Sequence, residues 1–420
     1  MFQLLYADSK GRMYEHPEAL AVGRTGGLFA EIEEEEMIPL PEGASLVMVP
    51  GGVPVAIGAN GSFNELTSAP DGAPCFAVGA LLPQGFARTM LPAYRRKDKH
   101  PLPLFGYAAV GWKDGRVYVA AVQTDNLEKW NPSHYGTSEL PGLVYDMLDR
   151  QGNNRVITQL AKCALEYNCF TAQNIFYRRW EGGIPVSPVC NARCLGCISL
   201  QPAECCPAPQ SRIGFVPEMW EVTDIAVPHL IEAEGAIISF GQGCEGEPSL
   251  QAPLISEAIK NIRSYTGAGT INMNTNAGNT AGIKEICSAG IDSLRVSTIS
   301  AREETYTGYY VPISYRWQDV YDSIAFARDK GTYVSLNLLI FPGLTDIPEE
   351  AEALVALLAK LDINMVQIRN LNIDPDFLSS RIPLASNEVM GINNFIDFLK
   401  AELPGLEIGN YSRPVRNNDI

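Results

Sequence analysis

Three cysteines on one short segment carry the clearest chemistry in this sequence. Cys190, Cys194 and Cys197 have a C-x3-C-x2-C spacing within the stretch PVSPVCNARCLGCIS. Three thiolates on one loop can hold an iron–sulfur cluster by three of its irons, whereas a closed 4Fe–4S site has four cysteine ligands. A missing ligand leaves one metal position open, as catalytic metal sites do. The spacing therefore predicts a 4Fe–4S cluster with one reactive iron.

Other uses of these cysteines have to be weighed. They could belong to a structural zinc site whose fourth ligand lies elsewhere. A disulfide framework is disfavoured, because the N-terminal stretch MFQLLYADSKGRMYEH lacks the basic start, apolar core and cleavage site of a secretory signal. No stretch approaches the roughly 18 to 20 apolar residues of a membrane span. We therefore expect a cytoplasmic protein that does not bind membranes, in which clustered cysteines indicate metal binding or catalysis.

A second motif follows the cysteines after a strand-like run. Ala236–Phe240 is apolar and leads into the sequence GQGCEGEP, which ends in Gly246, Glu247 and Pro248. With the cysteine loop, this pattern resembles the radical S-adenosylmethionine (SAM) superfamily over roughly residues 180 to 400. The resemblance implies that the three cysteines bind the cluster, and that the Gly-Glu-Pro motif binds the amino group of SAM. One departure is Gly196, since the family often has an aromatic residue just before the third cysteine.

The resemblance also implies roles for polar residues on later strands. The third strand carries a row that includes Asn272, and the fourth and sixth strands carry further polar side chains expected to face the cofactor. The cofactor-binding residues implied in this way are Asn274, Asn276, Arg295, Ser297 and Gln367. Spacing alone assigns no side chain to catalysis; Cys244, beside the Gly-Glu-Pro motif, and Arg369, at the end of the sixth strand, are the candidates.

The alternation of strands and helices predicts the fold of the second half. Six strand–helix units after residue 183 favour a parallel sheet covered by helices, and the resemblance implies a partial (β/α)6 barrel. The predicted strands are Ile184–Ser187, Ala236–Phe240, Thr270–Thr275, Ser293–Ser297, Tyr333–Ile340 and Met365–Arg369. The predicted helices are 217–233, 249–263, 280–289, 316–330, 348–361 and 387–403, with Ser249 and Thr280 as N-caps. In such barrels the functional loops follow the strands, as both motifs do here.

The first half has a different pattern. Short β-type runs such as Ser45–Val49, Val53–Ile57 and Arg116–Val122 alternate with turns, and a hairpin is predicted at Lys113-Asp-Gly115. We therefore expect an α/β protein with three parts: a β-rich accessory domain at 1–150, a helical connector at 151–182 and the barrel at 183–420. The accessory domain is expected to help bind a substrate or partner.

Composition narrows the function further. The formal net charge of the 420 residues is −16, which disfavours a nucleic-acid partner. The resemblance implies an oxygen-sensitive enzyme that reductively cleaves SAM to a 5′-deoxyadenosyl radical, supplied with electrons by a flavodoxin- or ferredoxin-like donor. Its substrate stays open between a protein or peptide side chain and a small metabolite. The alternative is a non-catalytic iron–sulfur or zinc scaffold or adaptor. Five further cysteines raise the question of an auxiliary cluster: Cys163, Cys169, Cys205, Cys206 and Cys244.

Overall fold

The first half of the chain forms an antiparallel β-domain. The structure is a computed structural model that describes residues 1–58, 61–104, 106–202, 205–384 and 389–416. The strands of this domain are Gln3–Ala7 (β1), Met13–Thr25 (β2), Leu28–Glu31 (β3), Met37–Pro39 (β4), Ser45–Met48 (β5), Val53–Ile57 (β6), Phe63–Glu65 (β7), Phe76–Leu81 (β8), Phe86–Arg88 (β9), Leu91–Pro92 (β10), Tyr94–Arg95 (β11), Tyr107–Ala108 (β12), Val110–Lys113 (β13) and Arg116–Gln123 (β14). Their central order is β11-β6-β2-β1-β13-β14-β4. The β-rich prediction for this half is confirmed.

The predicted hairpin joins β13 to β14. Asp114 and Gly115 both have positive φ, at 50° and 77°. A two-residue turn of this kind matches the twist of the flanking strands, and Asp-Gly is a favoured pair for it. Alternate residues of the two strands then face the small apolar core of the domain, in which Val110 and Val119 are buried.

Three helices follow the β-domain. They are Leu140–Gln151 (α1), Arg155–Leu165 (α2) and Phe170–Tyr177 (α3). The predicted connector helix corresponds to α2, whose N-cap Asn154 accepts hydrogen bonds from the backbone N–H groups of Val156 and Ile157. Helix α1 was not predicted, and it places the start of the helical segment ahead of residue 151.

The second half folds as a curled parallel sheet, which confirms the predicted partial barrel. The sheet has seven strands, one more than predicted: Glu181–Gly183 (β15), Ile237–Phe240 (β16), Thr270–Thr275 (β17), Ser293–Thr298 (β18), Tyr333–Ile340 (β19), Met365–Asn370 (β20) and Glu407–Gly409 (β21). They pair in sequence order, and every pairing is parallel. The covering helices are Met219–Glu232 (α4), Ala252–Tyr265 (α5), Thr280–Ala289 (α6), Glu303–Tyr310 (α7), Trp317–Asp329 (α8), Pro348–Lys360 (α9), Pro375–Ser379 (α10) and Ile392–Glu402 (α11). No helix among the described residues is long and apolar enough to cross a membrane.

The first barrel strand lies earlier than predicted. It ends at Gly183, whereas the sequence pattern placed the strand at 184–187. The backbone N–H groups of Val186 and Ser187 donate to the carboxylate of Glu245 and not to a neighbouring strand, so the chain leaves the sheet before the apolar run ends.

Two helices, one near the Gly-Glu-Pro motif and one after the third strand, have other N-cap residues than predicted. Glu247 is the N-cap of a short 3-10 helix, Pro248–Gln251, that leads into α5, and Asn279 is the N-cap of α6; each lies before the residue predicted for that role. Both have longer acceptor side chains than serine or threonine and reach the N–H groups of the first turn. The last predicted helix began at 387, and residues 385–388 lie outside the described part of the chain.

The two halves contact each other where strand β20 ends. The side-chain amide of Asn370 donates to the Phe86 carbonyl and its oxygen accepts from the Arg88 backbone, so β9 is hydrogen-bonded to the barrel edge. A nearby ion pair joins Arg96 to Asp374, both of which are almost fully buried. The β-domain therefore covers one side of the barrel mouth.

Candidate functional site

The three predicted cysteines line one cavity at the carboxyl ends of the barrel strands. This cysteine cavity has a volume of about 390 Å³ and is also lined by Gly246, Glu247 and Pro248. Burial raises the pKa of Cys190 and raises that of Cys194 well above its usual range, and the neighbouring thiols add to the shift at Cys194. The three thiols therefore share one cavity, in which burial is the main cause of the raised pKa at two of them.

The spacing of these thiols bears on the zinc alternative. Among the described residues, no three His, Cys, Asp or Glu side chains converge as the ligands of one metal ion would. In an iron–sulfur cluster each thiolate binds a different iron, so its cysteines need not converge on one point. This finding is therefore compatible with the cluster prediction.

The Gly-Glu-Pro motif is docked on the cysteine loop by backbone hydrogen bonds. The N–H of Gly246 donates to the Ser187 carbonyl at 2.7 Å, and the N–H of Glu247 donates to the Val189 carbonyl at 2.9 Å. A Cβ atom on residue 246 would overlap the Val189 carbonyl oxygen. Glycine is required here because the two loop backbones approach too closely for any side chain.

Glu245 ties the same two loops together from below. One carboxylate oxygen accepts from the N–H groups of Val186 and Ser187, and the other accepts from those of Gly241 and Gln242. Burial raises the pKa of Glu245 to about 8, while these four N–H donors act in the opposite direction. Glu245 was not among the predicted site residues. Its position directly before the Gly-Glu-Pro motif was the one feature of the sequence that could have indicated a role in the site.

Gly196 faces a tyrosine from another element. A Cβ on Gly196 would lie 2.8 Å from the hydroxyl of Tyr309, which belongs to α7 and also lines the cavity. The Tyr309 carbonyl accepts from the N–H of Leu195 at 3.0 Å, and the Tyr310 carbonyl accepts from the N–H of Arg193. The aromatic ring of Tyr309, on α7, therefore lies next to the residue that precedes the third cysteine. Sequence reasoning missed it because α7 itself was not predicted.

Glu247 is buried and joins the motif to the third strand. Its carboxylate accepts from the N–H of Ser249, the hydroxyl of Thr275 and the N–H of Asn276. Burial raises the pKa of Glu247 and these donors oppose the shift. Two oxygens that share three donors keep one lone pair for a further donor, which is compatible with its predicted contact to an amino group.

Most of the predicted polar residues line the cysteine cavity. Asn274, Asn276, Arg295 and Ser297 all do so, and Asn276 also donates to Asn191 of the cysteine loop at 2.7 Å. The side-chain nitrogen of Asn274 and the Nε of Arg295 are buried without a hydrogen-bond partner among the described residues. Buried polar atoms of this kind call for a partner, and a ligand in the cavity would provide one.

Two of the predicted polar residues lie behind the residues that line the cavity. Gln367 is buried and accepts from the Nη1 of Arg295 at 3.4 Å while donating to Ser335 at 3.0 Å. Asn272 donates to Ser239 and Asn274. In this structure both residues support lining side chains and do not line the cavity.

The two catalytic candidates differ in position. Arg369 lines the cysteine cavity, whereas Cys244 is 3 % exposed and does not line it. A hydrogen bond with Cys163 and burial raise the pKa of Cys244 well above its usual range. Cys244 is therefore absent from the lining of the cysteine cavity, and its catalytic role stays a prediction.

A 4Fe–4S cluster and SAM fit the residues present. Three thiols line the cavity together with Asn274 and Arg295, which each have a buried nitrogen without a partner among the described residues. Arg212 adds a positive charge, with its Nη2 3.6 Å from the Cys197 sulfur. A positive charge at this position is complementary to the negative charge of thiolate ligands.

Comparisons with known proteins yield structural neighbours only. No protein-family model matches the chain, and no curated protein matches it. Among solved structures, HydG, a maturase of the [FeFe]-hydrogenase, is 15% identical over 66% of this chain and 64% of its own, with a TM-score of 0.38. Methylornithine synthase (PylB) is 13% identical over 68% and 90%, with a TM-score of 0.35. The radical SAM methyltransferase TsrM from Kitasatospora setae is 17% identical over 46% and 36%, with a TM-score of 0.33.

The curled parallel sheet of this chain agrees with the fold that the resemblance to radical SAM enzymes implies. The alignment spans slightly less than two thirds of the HydG chain, at 64%. Scores of this size carry no argument about reaction or substrate. The chemistry has to be argued from the residues of the site itself.

Proposed function

We propose that this chain is a radical SAM enzyme that reductively cleaves SAM at a 4Fe–4S cluster held by Cys190, Cys194 and Cys197. The observation that carries the proposal is the docking of the Gly246-Glu247 backbone on the cysteine loop at the edge of one cavity. That docking brings a three-thiolate metal site and a candidate SAM-binding motif into fixed contact. When bound, the cluster and SAM supply a 5′-deoxyadenosyl radical that abstracts hydrogen from a substrate.

The protein residues position the two groups and exclude water. The three thiolates would leave one iron free for SAM, and Glu247 would accept from the SAM amino group. Asn274 and Arg295 would bind its ribose and carboxylate through nitrogen atoms that have no partner among the described residues. Tyr309 and Tyr310 close the cavity beside the cluster, and both are nearly fully buried.

We further propose that a flavodoxin- or ferredoxin-like protein delivers the electron at the cysteine loop. Val189 and Leu200, which flank the three cysteines, are 50% and 60% exposed. Val311 and Ile313 are also exposed, and their backbones hydrogen-bond to the same loop. An apolar patch beside a redox centre is suited to transient protein docking.

The proposal is tested with anaerobically reconstituted protein, dithionite and SAM. The expected product is 5′-deoxyadenosine, with close to four irons per chain and a 4Fe–4S electron paramagnetic resonance signal that changes when SAM is added. Cys194→Ala is expected to lose the cluster and at least about a hundredfold of the product. The matched control is Cys287→Ala, a buried cysteine on α6, which is expected to keep both.

Two results would contradict the proposal. Zinc in place of iron at the cysteine loop would favour the scaffold alternative. A fully clustered protein that gives no 5′-deoxyadenosine, with SAM alone or with small carboxylates added, would do the same.

A further inference from the structure

A second cavity lies directly beside the cysteine cavity. This inner cavity has a volume of about 330 Å³ and shares Ile198, Gln242, Gly243, Arg295 and Arg369 with the cysteine cavity. Four aromatic residues contribute to its wall: Trp130, Tyr167, Phe170 and Tyr411. A molecule in the inner cavity would therefore be next to a group bound in the cysteine cavity.

Two arginines face both cavities without an acidic partner. Arg295 is 9% exposed, its Nη1 contacts Gln367 and its Nε has no partner. Arg369 is half-buried, and its Nη1 donates to Gln84 at 2.9 Å and to Asn410 at 2.5 Å. Within the described residues, neither of these guanidiniums has a carboxylate at ion-pair distance, whereas Arg24 and Arg96, whose side chains are mostly buried, each have one. The fully buried Arg88 also has no ion pair among the described residues, and it donates to the Leu371 carbonyl.

This arrangement is unfavourable in the empty protein. Burying a charge without an ion-pair partner is costly. Burial lowers the pKa of Arg369 to about 10 and the positive charge of Arg295 adds to that shift, while the carboxylate of Glu181 acts in the opposite direction. The chain as a whole is acidic, with a formal net charge of −16. Two guanidiniums without an ion-pair partner at one point of such a protein are explained if each binds an anionic group, the SAM carboxylate at Arg295 and a second anion at Arg369.

The cavity walls limit the size of such a ligand. Gln84 and Trp130 come from the N-terminal half, and Tyr411 comes from the segment after β21. Asp125 holds that segment in place by accepting from the backbone of Asn410 at 2.7 Å and from the Arg413 side chain at 3.0 Å. A cavity of this volume, closed by three segments, suits a metabolite better than a folded protein.

We infer that the substrate is a small carboxylate, held in the inner cavity by Arg369 beside Arg295, which the proposed function assigns to SAM. This inference rests on the proposed function, because it names the substrate class of the same site. Glu181 lines the inner cavity as well, so a molecule that carries an ammonium group besides its carboxylate, such as an amino acid, would match both signs of charge. A peptide side chain is the competing source of a carboxylate.

Binding is measured on the cluster-loaded, full-length protein saturated with SAM, by calorimetry and thermal unfolding at constant ionic strength. The probes are succinate, L-glutamate, inorganic phosphate, the dication putrescine and a glutamate-containing pentapeptide. Succinate or L-glutamate is expected to raise Tm by about 2 °C or more, and putrescine is not. Arg369→Gln is expected to weaken carboxylate binding by about tenfold or more. The charge-matched control is Arg150→Gln, on the exposed end of α1, which is expected to bind as the wild type does.

The possible outcomes separate this inference from the proposed function. SAM cleavage without any carboxylate binding contradicts the inference alone, and carboxylate binding without SAM cleavage contradicts the proposed function alone. Carboxylate binding that competes with SAM, tighter binding of the pentapeptide, or a response to phosphate only would also overturn the inference. If Arg369→Gln lowers the Tm of the protein without probes, Arg369→Lys is measured instead. Lysine keeps the positive charge but loses the planar guanidinium, so this variant is expected to bind the carboxylates several-fold more weakly than the wild type does.

Discussion

The two cavities are built in different ways. The cysteine cavity is bounded by loops that follow successive strands of one sheet, and backbone hydrogen bonds such as Gly246 to Ser187 hold those loops together. The inner cavity is closed by side chains from segments almost 300 positions apart, such as Gln84 and Arg369. A reactive centre is thus built on the rigid part of the barrel, and the adjacent cavity depends on how the two halves are assembled.

That difference has a physical consequence. Backbone contacts constrain both loops and tolerate little change, because neither partner can be repacked. Side-chain contacts across domains can be exchanged for others without altering the sheet. We therefore expect substitutions at the cysteine cavity to weaken cofactor binding strongly. Substitutions at the inner cavity are expected to change ligand affinity and to change the free energy of unfolding only modestly.

The largest effect is expected for Gly246→Ala. The added Cβ would overlap the Val189 carbonyl oxygen, so the two loops must separate. SAM affinity is expected to fall about a hundredfold, equivalent to about 3 kcal/mol, as measured by equilibrium dialysis of the reconstituted protein. Gly267→Ala is the control, because a Cβ there meets no atom within 4 Å. Equal SAM affinity in the two variants would contradict the backbone-docking account.

Glu245→Gln tests the same docking from the carboxylate side. The amide keeps one acceptor oxygen and turns an NH2 group towards two backbone N–H donors, so two of the four hydrogen bonds are lost. The free energy of unfolding in urea is expected to fall by about 3 kcal/mol. Glu257→Gln, exposed on α5, serves as the control and should leave stability within about 0.5 kcal/mol. A Glu245 variant as stable as this control would mean that the four bonds are dispensable.

The same contrast separates what the sequence could predict from what it could not. The cysteine spacing, the Gly-Glu-Pro motif and most barrel strands are local patterns, and the strand Tyr333–Ile340 was predicted to the residue. Strand ends that depend on a distant side chain were not predicted correctly. One example is the end of β15, after which the backbone donates to the carboxylate of Glu245. Local periodicity indicates which face of an element is buried. It does not indicate which distant side chain accepts a hydrogen bond from a backbone N–H group.

The inner cavity was beyond sequence reasoning for a related reason. Arg369 could be named as facing a substrate, but its contacts to Gln84 and Asn410 join three segments that no short pattern connects. The seventh strand, Glu407–Gly409, has only three residues and carries no alternation that would reveal it. Tyr411, which follows it, was therefore never considered as part of a binding site.

Gly196→Ala should have a smaller effect than Gly246→Ala, because its obstacle is a side chain and not a backbone. The new Cβ would lie 2.8 Å from the Tyr309 hydroxyl, and that ring can shift. SAM affinity is expected to fall about tenfold, or about 1.4 kcal/mol. Tyr309→Phe removes the obstructing oxygen, so the double variant should recover part of the affinity in a double-mutant cycle. Additive losses would show that the two residues do not interact.

Tyr411→Phe is the mildest test and probes the inner cavity. The Tyr411 hydroxyl is buried without a hydrogen-bond partner among the described residues, while the ring stacks on Trp130 with centroids 5.3 Å apart. Removing an unpaired buried hydroxyl and keeping the stack should raise the free energy of unfolding by about 1 kcal/mol. Tyr135→Phe is the matched control, because its hydroxyl donates to the Lys129 carbonyl at 3.0 Å, and it should lower stability by about the same amount. If Tyr411→Phe instead destabilised the ligand-free protein as much as Tyr135→Phe, its hydroxyl would have to be paired within the chain, and this wall of the inner cavity would be as fully satisfied as the loops around the cysteines.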